Sequence, residues 1–145
     1  MHAERLSVAE ARRLGERVAQ LLARDQRVQL VYLFGSAARG DRPDVRDLDI
    51  AVLTDPALTL DELLKGRADV VAATGAPLDL VSLNDASIVL AWEVIDGGQC
   101  LFARDPDVET AFVTRTATRY WDFLPLREEQ WRLTGERLAE RARGS

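Results

Sequence analysis

Apolar positions in the first third of the chain recur with two different periods. Val8, Ala11, Leu14, Val18, Leu21 and Leu22 repeat at helical spacing, with Arg12, Arg13, Glu16, Gln20 and Arg24 on the other face. Ser7-Val-Ala-Glu10 just before them is a capping box, so the pattern predicts an amphipathic helix over about residues 8–23. From Val28 to Phe34 the run is β-branched and aromatic, which predicts a buried strand ended by Gly35-Ser36. A short helix of Ala37, Ala38 and Arg39 can begin there. Leu48, Ile50 and Val52 then alternate with Asp47 and Asp49, the period-2 signature of a second strand.

The remaining pattern continues to mix the two periods. Thr59-Leu-Asp-Glu62 is a second capping box, and Leu60, Leu63, Leu64, Ala68 and Val71 give the expected buried stripe of a helix to about Ala73, stopped by Gly75-Ala-Pro77. Leu78-Asp-Leu-Val-Ser82 reads as a short strand. Asn84 or Asp85 is expected to cap a helix carrying Ile88, Val89, Trp92, Val94 and Ile95, closed by Gly97-Gly98, with Gln99 to Ala103 as an edge strand. Asp105-Pro106 opens a further helix with Val108, Ala111, Phe112, Arg115, Arg119 and Tyr120, which Pro125 is expected to end. A last, strongly charged helix, from Leu126 to about Arg143, has after its first residue only Trp131, Leu133 and Leu138 as sizeable apolar residues.

Alternating helices and short strands of this kind predict an α/β (α+β) fold, a small mixed β-sheet flanked by helices. The length of 145 residues suits one domain, residues 1–145, with a core over about 8–103 and a helical extension over about 105–143. Nineteen Lys and Arg against 24 Asp and Glu leave a net charge of −5, which offers no broad basic field and argues against nucleic acid as a direct substrate. Cys100 is the single cysteine, so no disulfide framework exists within the chain, and it is expected to be a small buried hydrophobe. The first residues carry charges where a signal peptide needs an apolar core, and no apolar run approaches a membrane span of about 18 residues. A soluble, cytoplasmic protein without membrane contact is expected. The single histidine, His2, is expected to be neither ligand nor catalyst.

The chemistry concentrates in Val31 to Leu53. Side chains at i and i+2 of a strand share a face about 6–7 Å apart, so Asp47 and Asp49 are expected to stand together. Two carboxylates so close repel unless a cation lies between them, and hard divalent ions with oxygen ligands, magnesium above all, suit such a pair. Gly35 lets a phosphate approach the backbone, Ser36 offers a hydroxyl at the start of the short helix, and Arg39 is placed to meet a polyphosphate. Asp79, inside an apolar strand, needs a partner, a metal or an exposed edge. If Asp47, Asp49 and Asp79 share a face, they can hold two Mg²⁺ ions about 3.5–4 Å apart, the clamp for in-line displacement at phosphorus.

Gly35-Ser36, ten intervening residues, Asp47-Leu-Asp49 and a later Asp79 resemble the nucleotidyltransferase superfamily related to DNA polymerase beta. The Gly-Ser-Ala-Ala-Arg-Gly40 form is most similar to the minimal nucleotidyltransferases, many of which are antitoxins paired with a HEPN-domain ribonuclease. The resemblance implies a polymerase-beta-like fold with C-terminal helices. It implies transfer of AMP from ATP to a hydroxyl acceptor, a tyrosine of a partner HEPN toxin, with the three aspartates as catalytic metal ligands for two magnesium ions and Gly35, Ser36 and Arg39 as nucleotide-binding residues. One departure stands inside the motif. Arg46 occupies the position before the first aspartate, where the family often has serine. Two other readings remain open from the sequence: an antitoxin that neutralises its partner by binding alone, and a small-molecule transferase of the aminoglycoside-modifying kind.

Overall fold

A computed structural model describes residues 5–144; His2 lies outside these residues. In chain order the elements are β1 Leu6–Ser7, α1 Val8–Leu22, β2 Val28–Phe34, α2 Ser36–Arg39, β3 Asp44–Val45, β4 Leu48–Thr54, α3 Leu60–Thr74, β5 Leu78–Ser82, α4 Ile88–Gly97, β6 Gln99–Ala103 and α5 Pro106–Gly144. The main sheet has the order β5-β4-β2-β6, with β2 antiparallel to both neighbours and β4 parallel to β5. The expected mixed sheet flanked by helices is therefore the fold. No helix among the described residues is long and apolar enough to cross a membrane.

Strand alternation divides the core in two. Val31, Leu33, Leu48, Ile50, Val52 and Leu78 lie on one sheet face in a cluster with Ala11, Val18 and Ala19 of α1 and Val70 of α3. Leu30, Tyr32, Phe34 and Ala51 take the opposite face in a cluster with Val94 of α4 and Phe112 of α5. Asp49 and Asp79 follow the second alternation, so both point to the side of α4 and α5.

Both expected capping boxes are formed. The Ser7 hydroxyl accepts the Glu10 amide at 3.1 Å, and Thr59 does the same for Glu62 at 3.1 Å. Ser7→Ala should therefore lower stability by about 1 kcal/mol, the usual cost of deleting a serine cap; urea denaturation measures it, and an unchanged midpoint would show that the cap contributes nothing.

Several expectations are corrected. Leu60 and Leu64 are 69% and 54% exposed, and Ala68 is exposed as well. Leu63 and Val71 of the expected stripe do pack on the core, joined by Val70. The helix is rotated about its axis, with the Arg67 Nε donating to the Leu78 carbonyl at 2.9 Å. The cap of α4 is Ser87, whose hydroxyl accepts the Leu90 amide at 3.1 Å, and not Asn84 or Asp85. Asn84 instead closes on Thr54, accepting its amide at 3.0 Å and donating to its carbonyl at 2.7 Å. The β1–β3 ribbon, with Leu6 opposite Val45, was not expected, because two-residue strands have no sequence period.

Pro125 does not end α5, which runs as one helix of 39 residues. A proline inside a helix removes one backbone hydrogen bond and crowds the preceding turn, but good helix formers on both sides carry the helix through. Residues 126–143 are rich in Leu, Arg and Glu, and Arg132 bridges Glu129 and Glu136 along one face. The proximal part of α5 docks on α4, where Trp92 and Tyr120 stack with ring centroids 4.5 Å apart. Cys100 is partly buried as expected, and burial raises its thiol pKa to about 12, leaving it protonated and unreactive.

Candidate active site

The site forms at one end of the sheet because three backbone features meet there. β2 ends at Phe34, which is paired with Asp49 of the antiparallel neighbour β4. On the other side of β4 the parallel register sets Asp49 beside Asp79 of β5. Gly35 then turns away with φ +71°, and a Cβ at this position would lie 2.2 Å from the Asp49 Oδ2. Only glycine can serve here, since the backbone is left-handed and a carboxylate occupies the space of a side chain. Ser36 starts α2 immediately afterwards.

Ser36, Asp47 and Asp49 line one cleft of ≈ 220 Å³, together with Arg5, Arg42, Asp44 and Arg46. Asp47 lies in the bend before β4 and not within the strand, so it reaches the cleft from a loop. Asp79 does not line this cleft; it is exposed on the edge strand β5, one of the three situations that could accommodate its charge. Among the described residues, no three His, Cys, Asp or Glu side chains are gathered tightly enough to form a finished metal cage.

Asp49 is nevertheless the electrostatic centre of the group. Burial raises its pKa above the ordinary value of 3.8, the charges of Asp79 and then Asp47 raise it further, and Arg39 offsets part of the rise. Anionic repulsion thus reaches Asp49 from both predicted partners. Glu93 of α4 adds to it, which no sequence signal indicated, because α4 is brought over this sheet face only by the tertiary fold.

Arg39 does not line this cleft; its Nε donates to Asp41 at 3.1 Å, while its charge still reaches Asp49. The cleft's cations are instead Arg5, Arg42 and Arg46, of which Arg5 is held by Asp44 at 3.1 Å. In the sequence Arg46 stands out only as a departure from the motif. The charged loop from Asp41 to Asp47 was the signal available for Arg42; nothing marked Arg5, which arrives through the β1–β3 ribbon.

A glycine-bounded turn, a serine at a helix start and carboxylates on neighbouring strands agree with the polymerase beta nucleotidyltransferase model, which matches residues 16–107 and so includes every one of these positions. The chain belongs to the polymerase beta nucleotidyltransferase family. Within that family it is 36% identical to the protein adenylyltransferase MntA of Shewanella oneidensis over 96 residues, 65% of this chain and 67% of that protein. It is also similar to a solved toxin–antitoxin structure with AMP-PNP, at 29% identity and a TM-score of 0.69, over 85% of this chain and 98% of that one. A complex of a tri-AMPylated Shewanella oneidensis HEPN toxin with an MNT antitoxin gives 28% identity and a TM-score of 0.66, over 87% and 98% of the two chains. The nucleotidyltransferase match stops near the start of α5, so the distal half of that helix lies beyond it.

Proposed function

We propose that this chain is a protein adenylyltransferase that transfers AMP from ATP to a tyrosine of a HEPN toxin and thereby acts as its antitoxin. The observation that carries the reading is Asp49, a partly buried carboxylate pressed against Gly35 and set in register with Asp79 beside a cleft that holds Ser36 and Asp47. The choice of a protein acceptor draws on the similarity to MntA and to the antitoxin bound to an AMPylated toxin. The exposed apolar residues of distal α5, Leu126 at 66%, Trp131 at 65% and Leu138 at 61%, favour a protein partner over a small-molecule acceptor.

The donor set is carboxylate oxygen throughout, and the anion at Asp49 is short of countercharge, which fits a hard divalent cation such as magnesium. Asp47 and Asp49 would hold it, Asp79 would join from the neighbouring strand, and two ions is the number that the motif's resemblance implies. A bound cation lowers the pKa of an attacking hydroxyl and neutralises charge on the phosphates. The chain's own groups do the rest. The amides after Gly35 and the Ser36 hydroxyl hold phosphate oxygens, and Arg42 and Arg46 supply positive charge at the cleft. The acceptor oxygen bonds to the α-phosphorus as the bond to the leaving pyrophosphate breaks, and the hydroxyl proton passes to Asp79. A phenol suits this step, since its reference pKa of about 10 lies nearer neutrality than that of an aliphatic alcohol.

Incubation with α-labelled ATP, Mg²⁺ and the HEPN protein encoded beside this chain should label that protein on tyrosine, with a mass gain of one or more AMP units, and EDTA should prevent it. Asp47→Asn should leave the toxin unlabelled and active even at equal amounts. If that variant still neutralises the toxin, binding alone suffices and the enzymatic reading fails; if only an aminoglycoside takes the label, the acceptor class is wrong.

A further inference from the structure

The sheet face that carries Asp49 also carries a second cavity at its far end. Leu53 lines it, and Leu53 stands four positions along the strand from Asp49, about 14 Å at ~3.4 Å per residue. The cavity has a volume of ≈ 290 Å³ and lies between the start of α4 and the proximal part of α5. Phe112 and Ile88 belong to its apolar wall, and Asn84, Arg115, Thr116 and Arg119 bring polar groups to it. None of its lining residues carries a carboxylate. In a chain with net charge −5 that is a local reversal of sign.

Several features together favour an anion. Arg115 and Arg119 stand one turn apart on α5, where like charges repel, and neither has an acidic partner among the described residues. The Arg115 guanidinium lies over the Phe112 ring at 5.7 Å, which holds it at the cavity wall. Thr116 is only 6% exposed, but its hydroxyl is not sealed in: it lines the cavity and makes no hydrogen bond among the described residues, although Thr110 and Thr118 on the same helix each donate to a carbonyl one turn back. Finally, the N-terminus of the ten-residue α4 opens on the same space. Ser87 satisfies the Leu90 amide, and the earlier amides of the first turn have no partner inside the helix.

We propose that this cavity is a second binding site, separate from the nucleotidyl-transfer cleft, for a small phosphate-bearing anion. Two guanidiniums are suited to the oxygens of one phosphoryl group, the Thr116 hydroxyl donates a further hydrogen bond, and the α4 terminus adds the field of its dipole. The cavity is at the small end of the usual range for ligand sites of about 300–1,000 Å³, which selects a phosphate, a pyrophosphate or the phosphate of a mononucleotide over a larger body.

Calorimetric titration of the whole chain in a phosphate-free buffer, with inorganic phosphate, pyrophosphate and AMP as separate probes, tests the proposal and identifies the source of the phosphoryl group. At least one probe should bind saturably at one site per chain. Arg115→Gln combined with Arg119→Gln should weaken that binding at least tenfold, Thr116→Val should weaken it several-fold, and Ser36→Ala in the other cleft should leave it unchanged. No saturable binding of any probe overturns the proposal, as does binding that is lost in Ser36→Ala or unaltered in the arginine double variant. If the double variant does not fold, amide chemical shifts of the wild-type chain decide: phosphate-induced changes at Leu83, Ile88 and Thr116 support the site, and changes confined to Gly35–Asp49 overturn it.

Discussion

Asp49→Asn is expected to reduce AMP transfer by roughly 10³-fold or more while the protein stays folded. The change removes a proposed metal ligand and the negative charge that neutralises it, and a lost electrostatic contact to a phosphoryl-transfer transition state costs on the order of 10²–10³ in rate even without a metal. Stability should move the other way. The raised pKa of Asp49 means that the folded protein binds its proton more tightly than the unfolded chain does. Between the ordinary value of 3.8 and the raised folded value, the native state therefore carries more protons, and stability falls as pH rises through that window. Above it, the unfavourable contribution persists undiminished. A neutral amide in place of the carboxylate carries no such penalty, so in EDTA the variant should melt higher than the wild type at neutral pH and should lack this part of the acid-side decline. Transfer assays paired with melting temperatures from pH 3 to 7 would measure both. Near-native turnover would remove Asp49 from the site, and identical pH profiles would show that its carboxylate is not strained.

Gly35→Ala is expected to abolish transfer and to destabilise the fold as well. The added Cβ would meet the Asp49 Oδ2 at 2.2 Å and Cγ at 3.0 Å, far inside contact distance, at a φ of +71° that an alanine adopts only with strain. Holding a non-glycine residue in such a conformation costs of order 1–3 kcal/mol, and the clash must be relieved by moving either β2's end or the carboxylate. Each movement displaces the carboxylate proposed as a metal ligand relative to Ser36. Loss should therefore appear in kcat more than in the nucleotide KM, with a lower urea midpoint. A variant with native midpoint and turnover would show that the turn is not held against Asp49. Combining Gly35→Ala with Asp49→Gly should recover part of the stability, since the clash partner is gone, without recovering activity.

The surroundings of Asp49 and the second cavity contrast in charge along one sheet face. Strand β4 carries Asp49 near its beginning and Leu53 near its end, so anionic and cationic environments sit on one strand with Ala51 buried between them. Helices α4 and α5 cover that middle. Glu93 of α4 affects Asp49 at one end, whereas the helix start faces the arginine-lined cavity at the other.

Features that depend on local spacing are readable from residue order alone. The capping boxes at Ser7 and Thr59, the strand from Val28 to Phe34, the Gly35-Ser36 turn and the alternation of Leu48, Ile50 and Val52 are all within a few residues of their causes, and all are present. The candidate carboxylates were legible for the same reason. What spacing could not decide is how elements pack. The rotation of α3 that exposes Leu60 and Leu64 depends on contacts with α1 and β5, and the continuity of α5 through Pro125 depends on helix formers that outweigh one missing hydrogen bond. The parallel register that sets Asp79 beside Asp49 joins residues thirty positions apart, and the ribbon that brings Arg5 to the cleft joins residues almost forty apart. Such pairings are chosen by which apolar faces can be buried together, a property of the assembled sheet and helices that no short window of sequence contains.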